Sequence, residues 1–191
     1  MPRAGLGPDR VAKEALVLVD EEGIGALSIA SLAARLGVKR PSLYNHLSSM
    51  EGLRDSLRVI VTGEIASAVE TAAPREGREG LIAAMRALRE YVVRHPRRIP
   101  LLLEDAEDAT GELREASDRL LRRVMELLAS YGLEGAGAVH AARLLRALWI
   151  GFALIETSGG YAMDVPVEES FTFAVEAMHR AFAREPGTAG G

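Results

Sequence analysis

The sequence predicts an all-α protein of about nine helices, a short N-terminal three-helix segment followed by a larger helical bundle. Apolar residues recur at three- and four-residue steps along most of the chain, and alternating β-branched runs are few. With 191 residues, 48% hydrophobic and 26% charged, the chain is long enough to bury one large or two small cores. Glycine is scattered through the chain and the eight prolines sit mostly near the breaks between periodic segments, so neither marks a low-complexity tract.

The elements follow in order. Asp9 is expected to cap a first helix whose inner face is Val11, Ala15, Leu18 and Val19, ending near Gly23. Ser28 is the expected N-cap of a second helix, which runs through Leu32, Ala33 and Leu36 to Gly37 as its C′ residue. Pro41 fits the first turn of a short third helix, since its missing N–H has no partner there anyway. That helix is expected to end near Leu47. Ser48 and Glu51 have the spacing of a capping box and open a fourth helix to about Ala72.

After a polar break at 74–80, Leu81, Met85, Leu88 and Val92 form the stripe of a fifth helix, stopped by His95-Pro96. A short helix around 99–106 precedes a long stripe of Leu113, Ser117, Leu120, Val124, Leu127 and Tyr131, closed by Gly132. The last two helices are expected at 137–157 and 167–184, with a disordered tail after Pro186. The expected organisation is therefore a helix-turn-helix domain at 1–48, a helical domain at 49–185 and a tail at 186–191.

Composition narrows the chemistry. The absence of cysteine removes disulfide frameworks, thiolate nucleophiles and cysteine-bound metal centres. Residues 1–9 lack the apolar core of a secretory signal, and the longest near-apolar stretch, 147–155, is about half the length that spans a bilayer. A cytoplasmic protein with no membrane partner and no cofactor is expected. The net charge of −4 is unevenly divided: residues 1–48 carry +1 and the other 143 carry −5. This suits a nucleic-acid surface mounted on an acidic body.

Three short helices with Gly37-Val38-Lys39-Arg40 between the second and third match a helix-turn-helix, whose glycine-containing turn sets two helices at a steep angle. Lys39 and Arg40 have the reach for phosphates or guanine edges. Ser42, Tyr44, Asn45 and His46 offer polar groups on one face, while Leu43 and Leu47 hold the helix onto the core. Singly, each of these is ordinary surface or packing. In this order and spacing they point to double-stranded DNA.

The run from Gly23 to Val38, with Pro41-Ser42-Leu43-Tyr44-Asn45-His46-Leu47 and Leu53, resembles the N-terminal domain of TetR-family transcriptional regulators over residues 10–57. The resemblance implies that Ser28 and its neighbour Ile29 approach phosphates and that Arg40, Pro41 and Ser42 lead into the major groove. It also implies that Tyr44 and His46 bind the sugar-phosphate backbone, with Asn45 contacting it or a base edge. Many members carry a lysine at the start of the fourth helix. Met50 stands there in this chain, leaving the backbone amides of that helix start to serve.

In the eighth helix, Ala141, Leu145, Leu148, Phe152 and Ile155 form one apolar stripe, and His140, Leu144, Ala147, Gly151 and Leu154 form a second. A helix with two such faces has two partners. Leu144, Ala147, Gly151 and Leu154, joined by Phe171, Val175, Met178 and Phe182 of the final helix, are the expected homodimer seam. The alternative is that both helices only complete a monomer core; the resemblance favours the seam, since TetR-like regulators generally pair through their last two long helices. Trp149-Ile150-Gly151-Phe152 through Glu156 is similar to a tryptophan-histidine-glycine signature of one branch, with Ile150 in place of the histidine.

The resemblance further implies a cavity for an unidentified small-molecule effector, with Ile60, Met85, Leu88, Leu102, Met125, Trp149 and Phe152 as candidate lining. The expected function is a DNA-binding transcriptional regulator, a homodimeric repressor released from an inverted-repeat operator by that effector. The competing readings are a non-sensing architectural DNA binder and a helical-bundle metal enzyme. The latter needs two Glu-x-x-His pairs, and only Glu176 and His179 supply one, so they are expected on the solvated face of the last helix. Gly135-Ala136-Gly137 lacks the third glycine and preceding strand of a dinucleotide fingerprint, and no P-loop or nucleophile elbow is present.

Overall fold

The computed structural model describes residues 6–72, 76–103 and 111–183. Among the described residues the architecture is all-helical, as the periodicity predicts, with nine α-helices and two 3-10 turns. The helices are α1 (Pro8–Glu22), α2 (Ile29–Leu36), α3 (Arg40–Tyr44), α4 (Met50–Ala72), α5 (Gly77–Arg94), α6 (Ile99–Leu103), α7 (Gly111–Ala129), α8 (Gly135–Thr157) and α9 (Val167–Phe182). The 3-10 turns are Ile24–Ala26 and Pro96–Arg98. The expected tail at 186–191 lies outside the described residues, as does the part of the short helix expected beyond Leu103.

Two compact units divide the chain. The first runs up to Gly63 and takes in the stretch from His95 to Ala116; the second runs from Glu64 to Arg94 and from Ser117 onward.

In the first unit, α1 buries Val11, Ala15, Leu18 and Val19 as expected, packing against α2 and the turn Pro96–Arg98. Its cap differs from expectation. Gly7 is the N-cap and the helix starts at Pro8, because a proline loses nothing in a first turn whose N–H groups have no partners. Asp9 sits inside that first turn, where its charge opposes the helix dipole favourably. The start of α4 is likewise displaced by one residue: Ser49, not Ser48, accepts the N–H of Gly52 at 2.9 Å. Helix α3 closes at Tyr44, short of Leu47, and His46 N–H bonds the Leu43 carbonyl at 2.8 Å in a turn that occupies the intervening residues.

In the second unit, α5 is the central helix and packs against both α8 and α9. It starts at Gly77, several residues inside the expected polar break, and buries Leu81, Met85, Leu88 and Val92. Burying such side chains contributes about 1.5–3 kcal/mol each before entropy is counted. Helix α8 starts at Gly135 and turns Ala138, Ala141, Leu145, Trp149 and Ala153 inward. Ile155, expected on that inner stripe, is exposed instead, because every four residues carry the helix about 40° past a whole turn and the inward face follows that row to Ala153. By length and composition α8 is apolar enough to cross a membrane. Arg143 and Arg146 interrupt its sequence, and its buried face is packed on α5.

Two expectations for α9 are corrected. Phe171 and Val175 are fully buried and Phe182 nearly so, which places them inside the protomer and out of reach of a second copy. Phe173 is the exposed aromatic, at 71%. Glu176 and His179 lie at the surface half-buried and partnered, not as a freely solvated face: Glu176 pairs with Arg78, and the Tyr131 hydroxyl lies 3.0 Å from His179 Nδ1. Both are engaged by neighbouring elements: Arg78 comes from α5, which packs against α9, and Tyr131 follows α7.

Candidate nucleic-acid interface

The local sequence sets the geometry of α2 and α3 with little help from elsewhere. The Ser28 hydroxyl accepts the Ser31 N–H at 3.1 Å, and the Ser31 hydroxyl accepts the Ser28 N–H at 3.1 Å, so the first turn of α2 is capped reciprocally with serine in the usual glutamate role. At the other end Gly37 adopts φ 67°, a left-handed conformation that costs glycine nothing. Val38 N–H then reaches back to the Ala33 carbonyl at 3.0 Å and Gly37 N–H to Ala34 at 3.2 Å. This double closure ends α2 and reverses the chain within three residues. Lys39 caps α3, and Pro41 sits in its first turn as expected.

Leu43 is completely buried and Leu47 half-buried, so α3 is anchored along one side. Its other side is open. Lys39, Arg40, Pro41, Tyr44, Asn45 and Ser28 are exposed, while Ile29, Ser42 and His46 are half-buried. Tyr44, at 61% exposure, is too open to serve packing. Among the described residues no carboxylate pairs with Lys39 or Arg40. The arrangement is a short probe with two free cations, an aromatic hydroxyl, an amide and an imidazole on an accessible surface. Those groups suit phosphate oxygens and base edges.

Nearby arginines are spent on the fold. Arg35 of α2 bonds Glu14 at 3.2 Å and Glu21 at 2.5 and 3.1 Å, both on α1. Its hydrogen bond to Glu21 holds that carboxyl below the ordinary glutamate range. Arg98, which sequence reasoning missed, is buried against Asp20. The available signal was the last turn of α1, where Asp20, Glu21 and Glu22 stand together at the dipole end that disfavours acids.

The candidate effector residues fall in both units. Ile60 and Leu102, half-buried, belong to the first; Met85, Leu88, Met125, Trp149 and Phe152 belong to the second. In the second unit Phe152 stands edge-on to Phe171 at 5.0 Å and lies 4.7 Å from the Tyr161 ring. The Arg89 guanidinium lies over Phe152 and Phe171, at 5.9 and 5.1 Å from their centres, and grips Glu156 through two bonds of 2.7 Å. Glu168 is its second carboxylate partner. On α8, Leu144 and Leu154 are 45% and 47% exposed, with His140 and Ala147 exposed on the same face and Gly151 half-exposed.

The family described as bacterial regulatory proteins, tetR family, matches residues 12–57. The tetracyclin repressor-like C-terminal domain matches residues 81–178. An uncharacterized HTH-type transcriptional regulator of Mycobacterium tuberculosis is 33% identical over 176 residues, covering 88% of this chain and 78% of that protein. The Streptomyces coelicolor TetR-family protein ActR in complex with (S)-DNPA has a TM-score of 0.70 at 25% identity, covering 94% of this chain and 98% of ActR. BioQ with its natural double-stranded DNA operator has a TM-score of 0.70 at 22% identity, covering 95% and 100% of the two chains.

Proposed function

From the premise that the chain belongs to the TetR family of bacterial transcriptional regulators, we propose that it is a homodimeric repressor that leaves an inverted-repeat operator when a small molecule binds. The regulator class itself follows from the family and is not enzymatic. The observation that carries the finer reading is the open face of α3: free cations and a bare tyrosine on a helix anchored by Leu43. A shared fold with operator-bound BioQ supports double-stranded DNA as what that face meets. The DNA-reading domain proposed at residues 1–48 is carried by the unit that extends to Gly63.

In this mechanism Ser28 and Ile29 approach one phosphate strand with the amides of the α2 start, while Lys39, Tyr44 and His46 engage sugar and phosphate. Arg40, Pro41, Ser42 and Asn45 enter the major groove, and Arg40 discriminates bases. Two copies of α3 then meet successive grooves about 34–36 Å apart. Pairing is proposed through the open face of α8, at Leu144, Ala147, Gly151 and Leu154, with Met178 retained from α9 and Phe173 replacing the buried Phe171, Val175 and Phe182. The ligand-bound ActR supports a small-molecule effector, and the helical domain is the proposed place for it. Its binding favours a geometry that spaces the two α3 helices wrongly, so effector and operator affinities are reciprocally coupled.

Selection of bound duplexes from random DNA tests the reading. The expected product is an inverted repeat with half-site centres about one helical turn apart, and affinity that falls steeply with salt. Recovery of bent, sequence-indifferent DNA would replace it with the architectural alternative.

A further inference from the structure

Among the described residues, Arg98 is the one charged side chain that is buried, at 6% exposure. Its guanidinium holds Asp20 by two bonds, Nε to Oδ1 at 2.7 Å and Nη2 to Oδ2 at 2.5 Å. Arg97 adds a bond from Nη1 to the Asp20 carbonyl at 3.3 Å, and His95 Nδ1 lies 3.6 Å from Asp20 Oδ1. Three residues of the segment that follows α5 thus converge on one residue of α1, more than seventy positions earlier in the chain.

Stability alone is a poor reason for this arrangement. Removing two charges from water offsets most of their attraction, and an apolar pair of similar volume would hold the segments as well. What a forked arginine–carboxylate pair adds is orientation, because both oxygens are fixed at once. The position of Asp20 makes that orientation matter. Adjacent residues of an α-helix point about 100° apart, so Asp20 and Glu21 face different neighbours. Glu21 is held by Arg35 of α2, and α2 packs against α3. One turn of α1 therefore joins the 95–103 segment to the helix pair that carries Arg40.

The geometry points to Asp20 and Arg98 as positioning residues for DNA recognition. Their pair fixes the last turn of α1 and, through Glu21 and Arg35, the setting of α2 and α3, so operator affinity depends on a segment that never meets DNA. This rests on the reading of α3 as the DNA-reading helix.

Operator fragments selected by the unaltered protein are the probe, with R98K, D20N, R98M and the D20N/R98M pair compared for operator Kd and thermal midpoint. R98K keeps the charge and loses the fork, so it is expected to stay folded and to bind about tenfold more weakly. The double variant removes the buried charge that D20N strands and is expected to unfold at a higher temperature than D20N, yet to bind operator no better than D20N does. A purely structural role would let affinity recover together with the thermal midpoint. Unaltered operator affinity in folded R98K, or recovered affinity in the double variant, overturns the proposal. If the unaltered protein selects no DNA at all, the regulatory reading itself fails, a result distinct from selection followed by insensitive variants.

Discussion

Arg35 and Arg40 lie five residues apart and do opposite work. Arg35 reaches back to Glu14 and Glu21 and ties α2 to α1. Arg40, exposed and without a carboxylate partner among the described residues, keeps its donors for something outside the protein. Replacing Arg40 by alanine is expected to weaken operator binding by about 1–3 kcal/mol and to relax preference at the base it reads, with the thermal midpoint unchanged. Titration of the variant against the selected operator and its single-base substitutions checks this, and equal affinity for all of them would take Arg40 out of recognition. This division was only half legible in the sequence. Basic residues beside Pro41 marked the probe because their meaning is local. The engagement of Arg35 and Arg98 was hidden because their carboxylates lie 14 and 78 positions away.

At the scale of elements, features closed within a few residues were read correctly: the Ser28 cap, the left-handed Gly37, the first-turn Pro41 and the inward stripe of α5. Apolar periodicity finds a face but not what covers it. Phe171, Val175 and Phe182 form a stripe as good as any interface, and only the packing of α5 on α9 shows that the protomer itself uses it. On α8 the second stripe stays open, and Gly151 makes it testable. A Cβ added there meets nothing within 4 Å, so a larger side chain has room inside the protomer. Removing a mid-helix glycine also favours the helix by about 1 kcal/mol. Gly151→Leu is therefore expected to leave the protomer folded while crowding the seam between two copies, raising the dimer dissociation constant about tenfold or more. Sedimentation across a concentration series reads this directly, and a dimer as tight as the unaltered one would move the pairing surface off α8.

Across the whole molecule, each compact unit is cross-braced by exposed arginine–glutamate pairs that respond to acid in the same direction. Arg35 lowers the Glu21 carboxyl in the first unit, and Arg78 lowers that of Glu176 in the second, in each case chiefly by hydrogen bonding to the ionised form. A carboxyl that releases its proton more readily in the folded chain than in the unfolded one favours folding once pH is above the ordinary glutamate range. That contribution is lost as pH falls through the lower, folded-state value, because the unfolded chain then takes up protons that the folded chain resists. Both pairs are solvent-screened, so each adds modestly to acid sensitivity. Glu21→Gln combined with Glu176→Gln is expected to lower stability slightly at neutral pH and to flatten its decline on acidification. Urea midpoints measured from neutral pH to below the glutamate range would reveal the change. A decline as steep as that of the unaltered protein would assign its acid response to other carboxylates.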